Sequence, residues 1–468
     1  MNLLELATII GCLCWFILTL RKDVRRGLCV GVTIFVILPH QVKLELSGPA
    51  DFTIQRLMLI GLLPFLPRLW RDSPGWGGVP FLRGLLAVAA AQLVSMVFSV
   101  WFTASLKGFL SFTFEIIVFY AIISVSIRDW EDVTNLIRAI CRGLVIVAIL
   151  AFVEKYSSIS IFRALSGMQV KSALGVTATY PHRILLGYAM AMAIPLLLVL
   201  IDWSKPGRPR LLAWTALFAA VAACYFSTSR GPWMGAILAS VGMMIMAGRA
   251  SARRLIVLFV LAVVVMIVRP GVWGTISGLS KQSFESDTLK GRSYEYRWIL
   301  WHVAWSEITK SPVRLVFGYG GHSTESMDLG HYFAKESGGT AVTIGFTSWD
   351  NNLACDLIEF GVAGFMIEIV LYISVMKTLL LAWWRTDMEK RQLLAAIIGA
   401  AGIYLFALTN VYIFSPQLNY LFWTLVAVGI GATRLVPDKE GGSSGEPDSG
   451  DGNPMNILFH ADARDAGV

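Results

Sequence analysis

Arg292-Ser-Tyr-Glu-Tyr-Arg-Trp-Ile-Leu-Trp-His-Val-Ala-Trp305 lies inside a long polar stretch, roughly 270–352, in the middle of an otherwise apolar chain. The stretch holds Arg292, Arg297, His302, His322, His331 and Asp350. On both sides of it, apolar runs of about 18 residues or more recur, the length a helix needs to cross a bilayer. The 468 residues are 56% hydrophobic and 15% charged, with mean hydropathy +0.65. A soluble chain carries about 25% charged residues. The fold class is therefore an all-α polytopic membrane protein, with the polar stretch as a large loop inserted in one transmembrane bundle.

Working outward from that loop, spans are expected at about 2–20, 26–40, 54–70, 82–102, 106–127, 132–153, 184–201, 211–227, 231–247, 254–269, 353–383, 392–414 and 418–433. That gives about 12–13 transmembrane helices, in a bundle covering 1–435. Residues 436–468, rich in Gly, Ser, Asp and Pro, read as a disordered cytoplasmic tail. The first span has no basic residue before it and is followed by Arg21-Lys22-Asp-Val-Arg25-Arg26, the order of an anchor whose N-terminus lies outside. Alternate loops then fall inside, and each carries arginine or lysine, among them Arg68, Arg71, Arg128, Lys205, Arg253 and Arg391. The short loops on the other side hold Lys43, Lys107 and Arg230 with few other charges. The net charge of +8 reflects this asymmetry, and no basic tract argues for nucleic acid. The six cysteines all lie in or beside spans, without disulfide or metal-ligand spacing. No internal repeat is evident.

The topology puts about 154–183, 227–231 and 270–352 outside. Arg230, in Ser227-Thr-Ser-Arg230-Gly231-Pro232-Trp233, stands where a helix begins, so a fixed cation joins the free amides of a helix N-terminus. Arg183, after Tyr180-Pro181-His182, begins the inward span before it. Both positions also suit interfacial anchors. In the central run, Tyr294, Trp298, Trp301, Trp305 and Ile308 form one apolar stripe, the pattern of a helix lying on its indoles at a bilayer surface, with Arg297 off the stripe. Gly318, Gly320 and Gly321 would let backbone approach a ligand, and His322 and His331 are loop histidines. Asp350-Asn351-Asn352 reads as a helix N-cap opening a span. Asp356 and Glu359 follow just inside it, and Gly361 and Gly364 form a small-x-x-small pair for close helix approach.

The order of these elements resembles the O-antigen ligase and O-antigen polymerase superfamily, bacterial inner-membrane glycosyltransferases of the GT-C type. The elements are Ser229-Arg230-Gly231, Arg297-Trp298-x-x-Trp301, Gly318-Tyr-Gly320, Asp350-Asn351 and Glu359-Phe-Gly361-Val-Ala-Gly364. The hydropathy layout is similar over about 1–435 and the motifs cover mainly 180–365. The resemblance implies a multi-pass inner-membrane protein with periplasmic N-terminus and cytoplasmic C-terminus. It would transfer a glycan from a polyprenyl pyrophosphate carrier to an acceptor glycan or glycolipid, without cofactor or metal, alone or with other polysaccharide assembly proteins. Arg230 and Arg297 then match the family's pyrophosphate-binding arginines, with Arg183, Arg292, His322 and Asn351 as further substrate-binding candidates. Asp350 stands where ligases carry the histidine taken as catalytic base, which favours polymerisation of exopolysaccharide or O-antigen repeats over transfer to a lipid A core. A flippase of lipid-linked oligosaccharide is the competing reading, with Glu115, Asp356, Glu359 and Glu368 lining a path. A non-catalytic assembly partner is the third. The grouping of the arginines at one face favours a one-sided active site.

Overall fold

The computed structural model describes residues 3–44, 52–71, 78–157, 159–168, 175–247, 253, 256, 292–327, 329, 349–413 and 415–435. The expected span at 254–269 (Ile256 apart), the first part of the large loop, His331 and the tail at 436–468 lie outside the described residues. Among the described residues, seven helices are long and apolar enough to cross a membrane. Twelve of the thirteen expected spans fall on helical segments.

Helix α1 (Leu3–Lys22) turns at Asp23, whose carboxylate caps α2 (Val24–Ile37) by accepting from the amides of Arg25 and Arg26. Beyond α2, Lys43–Leu44 pairs antiparallel with Phe52–Thr53, and the Thr53 hydroxyl caps α3 (Ile54–Leu62). A 3-10 turn leads into α4 (Leu66–Trp70). Next come α5 (Leu82–Val97) and α6 (Phe102–Ser111), which passes through a π-helical stretch, Phe112–Val118, into α7 (Phe119–Ser126). Such stretches often mark functional positions, and this one carries Glu115. The chain continues as α8 (Trp130–Ser157), α9 (Ile161–Ser166), α10 (Arg183–Trp203), α11 (Arg208–Phe226) and α12 (Arg230–Met246). The large loop contributes α13 (Arg292–Ile308) and α14 (Pro312–Phe317). Helices α15 (Asn352–Arg385), α16 (Met388–Leu408) and α17 (Pro416–Arg434) follow.

The core lies along α10, which is buried throughout Leu185–Val199 and packs on α8, α11, α12 and α16. Lipid tails are as apolar as leucine, so close packing rather than escape from water holds such helices together. The α10–α12 contact shows how: a Cβ on Gly187 would strike Pro232, and one on Gly231 would lie 2.5 Å from the Tyr188 hydroxyl. Two glycines, one on each helix, thus set the spacing.

The helix ends sort into two groups. At one end, Arg25 bridges Asp129 at 2.8 Å and Asp132 at 3.1 Å, and Arg128 donates to the Leu69 carbonyl at 2.7 Å. At the other, Gln417 donates to the Val36 and Ile37 carbonyls, Gln55 to Leu38, and Tyr180 to Val36. The second end carries all the candidate site residues described below.

One expectation, about glycines, is corrected. Helix α15 is not one straight rod: Gly361 takes φ 63°, ψ −173°, and breaks it in two. Gly361 therefore serves a helix break in which backbone meets backbone, where a small-x-x-small helix contact was expected. On α13 the face packed against the protein is Tyr296, Leu300, Val303, Ala304 and Ile308, while Trp298 (58% exposed) and Trp305 (55%) point away from it. Trp298 and Trp305, amphipathic and suited to a membrane interface, are on the outward side, as expected of a helix lying on its indoles, while Trp301 and Ile308 of the expected stripe lie against the protein.

Candidate functional site

The turn between α11 and α12 is built rigidly. Ser227 Oγ and Trp233 Nε1 both donate to the Cys224 carbonyl, at 2.6 and 3.0 Å, satisfying one of the orphan acceptors at the end of α11. Thr228 adopts φ 47°. Arg183 Nη1 reaches across from the start of α10 to the Ser227 carbonyl at 3.3 Å, the Thr228 carbonyl at 3.0 Å and Thr228 Oγ1 at 2.9 Å. Arg183 is thus a clamp on the turn that presents Arg230. Next to it, His182 Nδ1 accepts from the Ile184 amide at 3.4 Å and caps α10. Burial first, and the Arg183 charge second, push the His182 imidazole down to about 4, so it remains the neutral acceptor that the cap requires.

Arg230 is the first residue of α12 and is half-buried. Its charge meets that of Arg297, the two repelling one another. Arg297 comes from α13, and its Nη2 donates to the Asn410 carbonyl at 3.1 Å, at the end of α16. Tyr188 Oη, fully buried, sits against Gly231 and within the field of Arg297. The fields of two cations from distant parts of the chain therefore overlap near the N-terminus of α12, where the helix amides add positive potential. Arg292 begins α13, but its side chain lies outside the described residues.

Asp350 precedes α15 and is half-buried. Its charge acts on Arg183 and on Tyr296, so it belongs electrostatically to the same group. Burial raises the Tyr296 phenol first, with Asp350 adding to it. Asn351 is buried, and its Oδ1 caps α15 by accepting from the Ala354 amide at 3.1 Å. That places it as the residue that fixes the start of the helix behind Asp350. Asn352 Oδ1 accepts from the Ile413 amide at 3.2 Å, and its Nδ2 donates to Asp356 at 2.7 Å.

The Gly-x-Gly element has a different role from ligand approach. Tyr319 and Gly320 amides donate to the Ile358 and Glu359 carbonyls, each at 2.9 Å, and Ser95 Oγ donates to the Glu359 carbonyl at 2.6 Å. These donors cap the first half of α15 where Gly361 breaks it. Gly318 (φ 73°) and Gly320 (φ 96°) leave no room for a Cβ, which would strike the Glu359 backbone and the Ser99 and Ser105 hydroxyls respectively.

His322 is placed in a second cluster. Its Nδ1 lies 2.9 Å from Glu325 Oε1, and this hydrogen bond raises the imidazole above its ordinary value. The same bond holds Glu325 below the usual carboxylate range. Nearby, Glu359 accepts from Thr324 Oγ1 at 2.5 Å, and Arg56 pairs with Glu115 at 2.7 Å. His322 thus belongs with carboxylates, where the sequence put it among substrate-binding candidates with the arginines. Thr228, Asn410 and Tyr188 carry the arginine group's geometry and were not legible in advance, because each acts through a tertiary contact and none through a motif. Glu325 escaped notice for the same reason.

Among the described residues no three His, Cys, Asp or Glu side chains are arranged to hold a metal. Residues 214–369, about a third of the chain, match the family model described as O-antigen ligase. That segment includes Arg230, α13, the Gly-x-Gly element and the first half of α15, so the resemblance drawn from those motifs is borne out over it. No curated protein matches the chain.

Proposed function

We propose that the protein, whose residues 214–369 match the family model described as O-antigen ligase, transfers a glycan from a polyprenyl pyrophosphate carrier to an acceptor glycan at the periplasmic face of the bacterial inner membrane. Polymerisation of exopolysaccharide or O-antigen repeats is the reading we prefer. The observation that carries it is the meeting of Arg230 and Arg297 beside the start of α12, with Asp350 in the same charge group.

In this reaction the acceptor hydroxyl oxygen attacks the anomeric carbon of the donor sugar. The bond from that carbon to the phosphate oxygen breaks, and its electron pair leaves on the pyrophosphate. The acceptor proton passes to the Asp350 carboxylate and from there to solvent. Arg230, Arg297 and the α12 amides neutralise the departing pyrophosphate in a site partly shielded from water, where fixed charge acts more strongly than in bulk solvent. Arg183 and Asn351 are positioning residues in this scheme: one holds the Arg230 turn, the other the start of the helix behind Asp350.

Arg230→Ala and Arg297→Ala should each abolish surface polymer while the protein still inserts and accumulates. Normal polymer length and yield in both variants would overturn the reading. Single lipid-linked repeats should then build up on the outer leaflet; build-up on the inner leaflet would indicate a flippase. Purified protein should transfer from lipid-linked glycan without added nucleotide, with and without chelator.

A further inference from the structure

One cavity, of about 210 Å³, lies at the end that carries the arginine group, with Glu115, Asp356, Glu359 and Glu368 in its walls. A separate recess of about 480 Å³ lies at the opposite end of the bundle. Three distant segments of the chain meet around it: residues 23–26 at the α1–α2 turn, 68–69 on α4, and 126–135 where α7 passes into α8. Trp70, Trp130 and Trp203 lie at the same end, the last two with ring centroids 6.4 Å apart. Indoles collect where hydrocarbon meets water, so the recess sits at the depth of lipid headgroups. Exposed Leu18 and Leu63, each five residues ahead of Asp23 and Arg68 respectively, offer acyl chains an apolar surface beside it.

Most charges in the recess are committed to one another. Asp23 caps α2 and pairs with Arg26 at 3.3 Å. Buried Asp132 takes Arg25 at 3.1 Å and the Arg128 amide at 3.0 Å, while the Arg128 side chain reaches the Leu69 carbonyl on α4. Two side chains differ. Arg68 is exposed, with its guanidinium 5.7 Å over the Phe65 ring, and makes no ion pair among the described residues. Glu131, also exposed, makes none among them either. The lining therefore offers one guanidinium and one carboxylate, on two different segments, that the protein does not match with each other or with a neighbour. A simple anion would leave Glu131 unmatched and would be repelled by Asp23 and Asp132. A ligand with both a phosphate and an ammonium group matches the pattern, since arginine pairs with phosphate and an ammonium N–H donates to a carboxylate.

We propose that this recess is a phospholipid-headgroup site selective for phosphatidylethanolamine, with the phosphate held by Arg68 and Arg26 and the primary ammonium by Glu131. Basic recesses between transmembrane helices bind lipid headgroups, and Glu131 is what narrows the choice here. Phosphatidylglycerol has no cation to offer it, and the quaternary ammonium of phosphatidylcholine has no N–H to donate. The bound lipid ties the α1–α2 turn, α4 and the α7–α8 connection together, so it braces the bundle at the end away from the arginine group. The site stands independently of the glycosyl-transfer reading.

The test uses the full chain in nanodiscs of phosphatidylcholine, alone or mixed equally with phosphatidylethanolamine or phosphatidylglycerol. Retained lipid is identified by native mass spectrometry, and unfolding is followed by intrinsic fluorescence. One phosphatidylethanolamine should be retained per chain in preference to either other lipid, and the unfolding midpoint should be highest in its presence. Arg68→Glu should weaken that retention about tenfold or more, the worth of a charge-assisted hydrogen bond, and remove the rise in midpoint. Glu131→Gln should still hold a lipid but retain phosphatidylethanolamine and phosphatidylglycerol alike. Arg208→Gln, at an exposed arginine of the same end outside the recess, should change neither reading. In phosphatidylcholine alone all three variants should unfold with the wild type, which separates a lost lipid from a damaged fold; a lower midpoint there for Arg68→Glu would assign Arg68 to the fold and overturn the site. Wild-type retention of phosphatidylcholine or phosphatidylglycerol as strong as that of phosphatidylethanolamine, or phosphatidylethanolamine held equally by Arg68→Glu, overturns it as well.

Discussion

Replacing Gly361 with alanine tests whether the broken helix builds the site. Its φ of 63° with ψ of −173° lies in a region that is close to glycine-only, and a side chain there costs of order 1–3 kcal/mol. Space is a second obstacle. An added Cβ would lie 2.5 Å from the carbonyl carbon and oxygen of Val316 and 2.6 Å from the Gly318 amide nitrogen. Those are backbone atoms, fixed by the amides of Tyr319 and Gly320 on the carbonyls of Ile358 and Glu359, so no side chain can swing aside. Forced overpacking of this kind costs about 1–3 kcal/mol more. The sum, ~2–6 kcal/mol, corresponds to a shift of about thirtyfold or more away from the native arrangement. Glycosyl transfer should fall by a similar factor, because the displaced half-helix carries its cap Asn351 and the preceding Asp350 at its start. Gly402→Ala in α16 is the control: its Cβ would meet nothing within 4 Å, and in a helix alanine is favoured over glycine by roughly 0.5–1 kcal/mol. Thermal unfolding in detergent, followed by intrinsic fluorescence, and the transfer assay should separate the two variants. Equal midpoints and equal activity would refute the reasoning.

Other expectations follow from the charge groups. His322 should titrate above its ordinary value of 6.5 in an imidazole NMR titration, and return towards it in Glu325→Gln; a value at or below 6.5 in the wild type would contradict the ion pair. With the signs worked through, the His322 contribution to stability is full below pH 6.5 and lost as pH rises through its raised folded value. The Glu325 contribution is present above the ordinary carboxylate value of 4.5 and lost as pH falls through its lowered one, so the pair stabilises most between the two. For His182, held at about 4, stability should be lost progressively as pH drops from 6.5 towards 4, and His182→Asn should keep the cap while removing that dependence in pH-resolved melting curves. Arg183→Ala should cost about 1.5–3 kcal/mol through the loss of charged hydrogen bonds to the turn, with a larger drop in transfer than Arg183→Lys; equal transfer in the two would show that the clamp does not position Arg230.

Much of the bundle was legible because the bilayer imposes two periodic constraints at once, apolar length and basic loops. Both survive without knowledge of any contact. Arg230 could be named because an arginine at a helix start is conspicuous against an apolar chain, and Arg297 because it stands off the apolar stripe of α13. What holds them was not legible. The Asn410 carbonyl and the Thr228 turn are backbone acceptors, which any residue type supplies. The outward face of α13 was legible in its indoles, whereas its packed face was not. An indole suits a lipid interface as well as a protein core, so Trp298 and Trp305 could occupy the outward face and leave Tyr296 and Leu300 to the protein. The carboxylate cavity was visible only as scattered acids: Glu115 and Glu368 were noted as members of a possible path, and the fold puts both in one chamber.

The length of α15 held a signal that the hydropathy alone concealed. Its 34 residues would make a rod of about 51 Å at 1.5 Å per residue, against a hydrocarbon core of ~30 Å. Residues 362–385 alone make ~36 Å, enough to span, so the first half is free to do something else. Broken at Gly361, it packs with α13 and α14 and starts just after Asp350, whose charge acts on Arg183. Its own carbonyl end is satisfied by the Gly-x-Gly loop, as a helix terminus away from water requires. Glu359, at that end, and Glu368, beyond the break, then both line the cavity. A straight helix would direct the carboxylates and Asp350 along one axis. The break lets Glu359 and Glu368, on either side of Gly361, line one cavity, and an excess of apolar length carrying carboxylates and glycine is how such a break can be read in advance.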